Sequence, residues 1–424
     1  MKIIIIGGGF AGINLAEELA NNKNFDITLV DKNNYNFFPP LIYQVGAAFL
    51  EPSSISYPFR KLFRGEKNIQ FRLAELLSVK PEQNKVILSN GELEYDTLVF
   101  ATGAQTNYFG IESVMKNAIP MKTLTDAIEM RNTLLQRMEK ASISNSSSER
   151  KKLLSIVVAG GGPTGVEVSG MFAEMRSGIL RKEYPELAKS FSKIYLVDGS
   201  DSLLGSMSKK SQKDTEDNLK KLGVAVKLNS RVTDYKDDTV HLSTGETIQT
   251  KNLIWAAGVI CRTFEGIPED SYGRGKRMKA DAFNKVIGTN NIYAIGDTSI
   301  QTTDEAFPDG HPQVAQVAIQ QGLRLAKNFK NMVANKPLQP FKYKDKGSMA
   351  IIGKNKAVVD IPKPKLHFKG FIAWLAWLFV HLMSLISYRN RFATFLNWMV
   401  AYFSKDQPLR MIIRPENRYP KTDQ

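Results

Sequence analysis

Residues 2–12 read KIIIIGGGFAG. The four isoleucines predict a buried strand, and the glycines at 7, 9 and 12 form a GxGxxG loop that opens a predicted helix. In such a loop Gly7 permits the turn, Gly9 lets the backbone approach a diphosphate, and Gly12 lets helix and strand pack closely. The stretch therefore predicts a dinucleotide-binding α/β fold.

An acidic residue follows the next predicted strand. Residues 25–30 form an apolar run that ends at Asp31. A carboxylate at this distance from a GxGxxG loop can accept hydrogen bonds from a ribose hydroxyl. We therefore expect Asp31 to contact the nucleotide.

The same pattern is repeated 153 residues later. A predicted strand, residues 153–159, precedes GGGPTG with Gly160, Gly162 and Gly165, and a second strand, residues 193–197, ends at Asp198. One glycine loop can be an ordinary tight turn, but two complete sets of strand, loop, helix, strand and acid indicate two dinucleotide-binding folds.

The spacing from Gly160 to Asp198 is longer than usual, which predicts a long or inserted helix near Tyr184. If Asp198 contacts the adenine ribose, its charge repels a 2′-phosphate and favours NAD over NADP. Lys209 and Lys210 lie nearby and leave the choice of nucleotide open.

Composition limits the remaining possibilities. With 424 residues, 43% of them hydrophobic, the chain is long enough for two or three domains. The single cysteine, Cys261, excludes an internal disulfide and an internal dithiol redox pair. The four histidines are dispersed without metal-ligand spacing, so no metal site is predicted.

The net charge of +15 predicts an anionic partner. Residues 341–424 hold 15 Lys or Arg and 5 Asp or Glu, a net +10, which leaves +5 for the first 340 residues. Basic tails often bind nucleic acid. The aromatic segments inside this tail favour an anionic membrane surface instead, with no nucleic acid.

Three later signatures carry a family resemblance. YDTLVFATG, residues 95–103, ends at Thr102 and Gly103; LIWAAG, residues 253–258, ends at Ala257 and Gly258; and NIYAIGD ends at Asp297. With the two glycine loops they resemble the two-dinucleotide flavoprotein superfamily. The resemblance implies FAD at the first fold, NADH at the second, an FAD domain split around the NADH domain, and Asp297 beside the flavin's ribityl and phosphate groups. Asp297 as a simple turn cap is the alternative.

Within that superfamily the chain is most similar to the type II NADH dehydrogenases. YNFFPPLIYQV, residues 35–45, resembles their flavin-side loop and includes Gln44, and AQVAIQ, residues 315–320, matches their AQxAxQ motif. The resemblance implies hydride transfer from NADH to FAD and then transfer of two electrons to a membrane quinone. Because no segment of the sequence is predicted to span a membrane, we expect no proton pumping.

Four residues are the predicted catalytic set: Glu167, Gln316, Gln320 and Lys346. On a helix, Gln316 and Gln320 share one face, where their amides can donate to quinone carbonyls, although an ordinary solvated face fits as well. The resemblance places Glu167 near nicotinamide and flavin and Lys346 near the quinone tunnel. Glu167 can stabilise a nicotinamide cation or relay a proton. The alternatives are an acid in the first turn of a helix for Glu167 and a solvated surface lysine for Lys346.

The C-terminal region predicts two membrane-anchoring amphipathic helices. FIAWLAWLFVHLMSLI, residues 371–386, is shorter than the roughly 20 residues that span a bilayer. Residues 392–403 place Phe392, Phe395, Leu396, Met399, Tyr402 and Phe403 near one face. Three of the four tryptophans lie in these segments, as is typical of interfacial helices. The alternative is burial in a homodimer interface or against the flavin domain.

The predicted organisation is therefore two Rossmann-like dinucleotide-binding domains with a C-terminal membrane region. The bounds are 1–115 for the first part of the FAD domain, 116–150 for a connecting segment, 151–265 for the NADH domain, 266–335 for the second part of the FAD domain with the quinone-site helix, and 336–424 for the membrane region. We expect a peripheral protein on the cytoplasmic face of the cell membrane. A soluble flavoprotein reductase with a protein acceptor and a flavin-bearing interaction protein similar to apoptosis-inducing flavoproteins are the rival functions.

Overall fold

In the computed structural model, which describes residues 1–176, 181–187, 193–404 and 409–413, the chain forms two units. The first comprises Met1–Phe37, Ser56–Asn107 and Val259–Lys346, and the second Phe38–Ile55, Tyr108–Gly258 and Gly347–Gln424. The strands of the first unit therefore come from both sides of the central part of the sequence.

The described strands, in chain order, are β1 Lys2–Ile6, β2 Asp26–Asp31, β3 Tyr35–Phe37, β4 Ser56–Pro58, β5 Ile69–Leu73, β6 Leu76–Lys80, β7 Lys85–Leu88, β8 Gly91–Glu94, β9 Thr97–Phe100, β10 Gln105–Thr106, β11 Ile119–Pro120, β12 Ile156–Ala159, β13 Ile194–Val197, β14 Val224–Lys227, β15 Val232–Lys236, β16 Thr239–Leu242, β17 Thr247–Gln249, β18 Asn252–Trp255, β19 Val259–Ile260, β20 Met278–Lys279, β21 Ile292–Ala294, β22 Ser299–Ile300, β23 Ser348–Gly353, β24 Lys356–Ile361 and β25 Leu366–Lys369.

The described α-helices are α1 Phe10–Glu18, α2 Ile42–Gly46, α3 Pro52–Ile55, α4 Phe59–Leu62, α5 Glu112–Asn117, α6 Leu124–Ile143, α7 Ser147–Leu154, α8 Pro163–Met175, α9 Arg181–Glu183, α10 Lys209–Lys221, α11 Ala315–Val333, α12 Gly370–Met383 and α13 Tyr388–Ser404.

The isoleucine run forms β1, the central strand of a parallel sheet in the first unit with the order β21-β9-β1-β2-β5. Side chains alternate along a strand, so Ile3 and Ile5 join the core on the side of α1 and α11, whereas Ile4 and Ile6 join the core beside β7. All four are buried. Both faces are covered, which is why the strand is apolar without interruption.

The second unit contains a parallel sheet of the same design, in the order β11-β18-β12-β13-β14. In both sheets the strand before the glycine loop is central, and the strand that ends in the predicted acid lies beside it. The inserted helix expected near Tyr184 is present as α9 and a single turn at Pro185–Leu187. The predicted fold of two Rossmann-like units is confirmed. In the sequence, the strands of the first unit lie before and after residues 108–258, which belong to the second unit.

The segment immediately before β12 is mostly helical, because it consists of α6 and α7. The Ser-rich stretch around residue 146 is the short connection between α6 and α7. The Ser146 hydroxyl accepts a hydrogen bond from the Glu149 N–H over 3.2 Å and thereby begins α7. Thr123 and Asp126 form a capping box that begins α6 in the same way.

The C-terminal helices present one buried and one exposed side. Ala373 of α12 is buried against the β23-β24-β25 sheet, and Trp377 is buried beside the rings of Tyr43 and Trp398. The opposite side of α12 and much of α13 exposes large apolar side chains: Phe371, Ile372, Leu375, Phe379, Met383, Phe392, Phe395, Leu396, Met399, Val400 and Phe403. Within the described ranges, neither helix is long and apolar enough to cross a membrane.

Trp377 departs from the prediction that the three C-terminal tryptophans anchor at an interface. Its side chain is 0% exposed. Aromatic and apolar side chains occur both in the protein interior and at a membrane interface. Composition alone therefore does not show which of these two environments surrounds a given tryptophan.

Candidate functional site

The first glycine loop has the form that a diphosphate requires. Gly7 has φ +106°, and a Cβ there would lie 2.3 Å from the Ala101 carbonyl oxygen. A Cβ at Gly12 would lie 2.0 Å from the Gly7 carbonyl oxygen. Gly9, in contrast, has no atom within 4 Å of the position of a Cβ. Gly7 and Gly12 are therefore required by the fold itself, whereas Gly9 leaves open space at the start of α1, where backbone N–H groups attract anions.

The second loop repeats this arrangement. Gly160 has φ +112° and a Cβ there would lie 2.4 Å from the Ala256 carbonyl oxygen, while one at Gly165 would lie 1.8 Å from the Gly160 carbonyl oxygen. Gly162 again has nothing within 4 Å. The open space lies at the start of α8, in the same position relative to its sheet. The chain thus has two cradles for a diphosphate, one in each unit.

The two predicted acids contact the glycine loops. A carboxylate oxygen of Asp31 accepts a hydrogen bond from the Gly8 N–H over 2.7 Å, and one of Asp198 accepts from the Gly161 N–H. Burial raises the pKa of Asp31, and the N–H groups of Asn33 and Gly8 oppose this rise. One carboxylate oxygen of each acid therefore bonds to the backbone of its own glycine loop. The distance between loop and acid in the sequence did not predict this role.

The later signatures lie at the ends of strands beside the loops. In the first unit, Thr102 follows β9 and donates to the Thr298 hydroxyl over 3.2 Å, and Gly103 has φ +65° with open space around its missing Cβ. Asp297 lies in the turn after β21, and its carbonyl oxygen accepts from Gln313 and from the buried Cys261 thiol. The structure therefore brings Thr102 and the Asp297 turn together.

In the second unit, Ala257 and Gly258 follow β18. A Cβ at Gly258 would lie 2.7 Å from the ring of Phe109, which packs edge-on to Trp255. A larger residue at 258 would therefore displace the Phe109 ring. Phe109 itself is largely exposed beside this turn and was not predicted as part of the site.

The two glutamines of the AQxAxQ motif share one face of α11, as predicted. Gln320 forms two hydrogen bonds with the backbone of Lys344, donating over 2.9 Å and accepting over 3.0 Å. The Gln316 side-chain oxygen accepts from the Lys346 N–H over 3.1 Å. The motif therefore fixes the segment 344–346 onto α11 and brings Gln316, Gln320 and Lys346 together.

Glu167 occupies the most unusual electrostatic position of the predicted residues. It lies on α8, five residues after Gly162, and its side chain is buried. Burial raises the pKa of Glu167 to about 8, against the opposing effects of the Ile351 N–H and the nearby Trp377 indole. Trp377 Nε1 has no hydrogen-bond partner of ordinary geometry among the described residues. Burial therefore favours the protonated, neutral form of Glu167.

The surroundings of Glu167 contain Gln44, which the sequence singled out, and Tyr43 and His381, which it did not. Tyr43 is fully buried, and burial, followed by the charge of Glu167, raises its pKa well above the usual range. Gln44 donates to the Tyr43 hydroxyl over 3.0 Å and accepts from the Trp398 indole over 2.7 Å. His381 stacks on Trp377 with 3.8 Å between ring centres, and burial lowers its pKa to about 4. The one signal in the sequence for this buried group was the aromatic residue Tyr43, which lies next to Gln44 in the stretch YNFFPPLIYQV.

The second unit therefore brings together Glu167, Gln44 and the C-terminal helices, whereas Gln316, Gln320 and Lys346 belong to the first unit. Across residues 1–176, 181–187, 193–404 and 409–413, no three His, Cys, Asp or Glu side chains are grouped so as to hold a metal ion.

Comparisons with known proteins agree with this arrangement. Residues 1–322 match the pyridine nucleotide-disulphide oxidoreductase family, and residues 346–405 match the NDH2 C-terminal domain. The chain is 35% identical over 424 residues to the type II NADH:quinone oxidoreductase NdhA of Mycobacterium tuberculosis, with 95% of this chain and 87% of the relative covered. A probable NADH dehydrogenase of Dictyostelium discoideum is 30% identical over 94% of this chain and 88% of its own length.

Among solved structures, NDH2 of Plasmodium falciparum in complex with NADH has a TM-score of 0.88 at 26% identity, covering 97% of this chain and 99% of that one. The sulfide:quinone oxidoreductase of Aquifex aeolicus, with a TM-score of 0.72 at 20% identity, shares the fold. The matches extend from the first glycine loop to the C-terminal helices, and the chain therefore belongs to the type II NADH:quinone oxidoreductases, within the pyridine nucleotide-disulphide oxidoreductase family.

Proposed function

We propose that the protein is an FAD-dependent NADH:quinone oxidoreductase, which moves a hydride from NADH to FAD and then two electrons to a membrane quinone. The observation that carries this proposal is the pair of diphosphate cradles, in which Gly9 and Gly162 leave matching open spaces. When bound, FAD supplies a ring that accepts a hydride and releases electrons. The chain supplies placement, charge and protons.

The first unit fits FAD and the second fits NADH. The Gly7–Gly12 loop offers N–H groups to the FAD diphosphate, with Asp31, Thr102, Gly103 and Asp297 around the same sheet edge. The loop at Gly160, Gly162 and Gly165, with Asp198, Ala257 and Gly258, offers the corresponding edge to NADH. The proposed domain bounds remain 1–115 with 266–335 for FAD and 151–265 for NADH.

Glu167 is the proposed proton donor. A pKa of about 8 leaves the carboxyl neutral at pH 7, so it holds a proton rather than a charge that would stabilise a nicotinamide cation. Reduction of a quinone to a quinol takes up two protons with two electrons. Because Gln44 and Tyr43 lie in the same buried group, we propose that they keep the carboxyl and its surroundings in place.

Gln316, Gln320 and Lys346 are the proposed quinone-side residues. Both polar atoms of the Gln320 amide already bond to the backbone of Lys344, so Gln320 acts by positioning. The Gln316 oxygen fixes the Lys346 backbone, which leaves the Lys346 ammonium as the group that can contact a quinone oxygen.

The exposed apolar side of α12 and α13 supports docking on a membrane. A contiguous apolar surface of this kind marks an interaction site, and the basic C-terminal region attracts anionic lipid headgroups. We propose peripheral binding to the cytoplasmic face of the cell membrane. The alternative is that a second copy of the chain covers the same surface and forms a homodimer.

The experiment that tests the proposal uses purified protein with its flavin. The absorbance spectrum identifies the flavin, and NADH oxidation is followed with and without a short-tailed quinone. We expect bound FAD and turnover that rises with quinone concentration. Rapid flavin reduction without stimulation by quinone would contradict the proposal and favour a protein acceptor or an interaction role.

A further inference from the structure

Phe109 lies in a turn whose backbone geometry disfavours its side chain. The Ile111 N–H donates to the Tyr108 carbonyl oxygen over 3.0 Å and closes the turn. The two central residues both have positive φ, +52° at Phe109 and +78° at Gly110. Such a turn normally holds Gly, Asn or Asp at these positions, and a bulky residue with positive φ is an outlier. The sequence therefore places a phenylalanine where local geometry favours a smaller residue.

Burial of the Phe109 ring does not offset this strain, because the ring is 60% exposed. The neighbouring Tyr108 stacks on the buried Trp255, with 6.1 Å between ring centres, whereas Phe109 meets Trp255 only edge-on at 6.4 Å. A ring that remains mostly in water contributes little to folding. Strained residues are typically retained at ligand sites. The position therefore points to a contact with a ligand.

The Phe109 ring lies at the edge of the second diphosphate cradle. A Cβ at Gly160, in the glycine loop, would lie 2.8 Å from the Cα of Ala257. A Cβ at Gly258, the next residue along the chain, would lie 2.7 Å from Cζ of Phe109. The turn after β18 therefore contacts the glycine loop through one residue and the Phe109 ring through the next.

The strand order indicates which half of NADH would lie beside the ring. β12 lies between β13 and β18, and the three strands are parallel. Asp198, the proposed contact of the adenosine ribose, follows β13, and Gly162, the proposed contact of the diphosphate, follows β12. The other half of the dinucleotide therefore extends over the carboxyl end of β18, where Gly258 and Phe109 lie.

We propose that the Phe109 ring packs against the nicotinamide half of NADH and is a binding residue for it. The inference rests on the proposed binding of NADH by the second unit. Aromatic rings attract one another in offset or edge-on arrangements, and the oxidised nicotinamide ring carries a positive charge that an aromatic face attracts. The adenosine half lies on the other side of β12 and takes no part in this contact.

The test compares the affinity of the flavin-loaded protein for NAD⁺ and for ADP-ribose, which lacks the nicotinamide, by isothermal titration calorimetry. NAD⁺ does not reduce the flavin, so the comparison requires no turnover. Phe109→Asn removes the ring and introduces a residue that tolerates positive φ. Phe109→Tyr keeps the ring. Met115→Gln removes another exposed apolar side chain from the second unit and is the matched control.

We expect Phe109→Asn to weaken NAD⁺ at least about fivefold and to leave ADP-ribose unchanged. Phe109→Tyr and Met115→Gln should bind both nucleotides as the wild type does. Because the turn is relieved of strain, the urea midpoint of Phe109→Asn should equal or exceed that of the wild type. A ring with a purely structural role would instead lower the midpoint.

Unchanged binding of NAD⁺ in Phe109→Asn would overturn the proposal. Equal weakening of NAD⁺ and ADP-ribose would also overturn it, because the substitution would then damage the cradle as a whole. Failure of the proposed function has a different signature: the wild type would bind NAD⁺ with the expected dependence on Phe109 but show no NADH oxidation that quinone stimulates.

Discussion

Trp398 donates its indole N–H to the side-chain oxygen of Gln44 over 2.7 Å, although 354 residues separate them in the chain. The bond joins a C-terminal helix to the buried group that contains Tyr43 and Glu167. Both ends of this bond belong to the second unit, so the C-terminal helices are part of that unit's core as well as its apolar surface.

Removing the indole donor should destabilise the second unit. Trp398→Phe leaves the buried oxygen of Gln44 without this partner, at a cost of about 1–3 kcal/mol in the free energy of unfolding. Trp374→Phe makes the same chemical change on α12 without breaking a bond to Gln44 and serves as the control. Urea denaturation measures both. An equal loss in the two variants would assign the effect to ring size alone.

The stability of the protein should depend on pH through Glu167. Its folded pKa of about 8 lies above the ordinary value of 4.5, so the folded state keeps a proton that the unfolded state loses as the pH rises above about 4.5. The contribution is fully present below pH 4.5 and is lost as the pH rises through 8. Glu167→Gln stays neutral at every pH.

The measurement is the free energy of unfolding of wild type and Glu167→Gln between pH 5 and 8. The wild type should lose stability relative to the variant by up to about 1.4 kcal/mol per pH unit. Glu82→Gln, which changes an exposed carboxyl, controls for general charge effects. A difference between wild type and Glu167→Gln that stays constant with pH would contradict the buried neutral acid. In the same variant, NADH oxidation with quinone should slow.

Substitutions at Gly9 and Gly162, the two glycines with open space around the position of a Cβ, should each affect the binding of a different nucleotide. Gly9→Ala places a methyl group where the FAD diphosphate approaches, so the purified protein should contain less flavin. Gly162→Ala should keep its flavin and raise the KM for NADH about tenfold or more. Each variant is the control for the other. Identical effects of the two substitutions on flavin content and on KM would contradict the assignment of one loop to each nucleotide.

The exposed apolar side of the C-terminal helices should govern membrane binding. Phe379→Ser with Phe403→Ser removes two exposed rings and should weaken binding to anionic vesicles about a hundredfold. Ile143→Ser removes an exposed apolar side chain from α6, and this variant should bind as the wild type does. Vesicle sedimentation measures both. These substitutions are preferable to deletion of residues 370–424, because deletion also removes the buried Trp377.

The sequence predicted the parts of the structure that depend on local steric requirements. The buried strand at residues 3–6 and the turns at Gly7 and Gly160, where φ is positive, follow from short-range geometry, and the structure has them. The family and the fold predicted from these loops are confirmed by the matches along the chain.

What could not be predicted depends on contacts between distant residues. The pairing of Gln320 with Lys344 and the approach of Tyr43 to Glu167 require the tertiary fold, and no periodicity records them. Burial of Trp377 was missed for the same reason, because Tyr43, whose ring packs against it, is distant from α12 in the sequence. The roles of the site residues and the domain bounds remain predictions.

The buried thiol of Cys261 has a practical consequence. It is the only cysteine in the chain, it is 0% exposed, and it donates to the Asp297 carbonyl oxygen. Buried cysteines of this kind react slowly with alkylating reagents. A cysteine introduced at Phe379 or Phe403 would therefore carry a fluorescent label at one defined position, without prior removal of a native thiol.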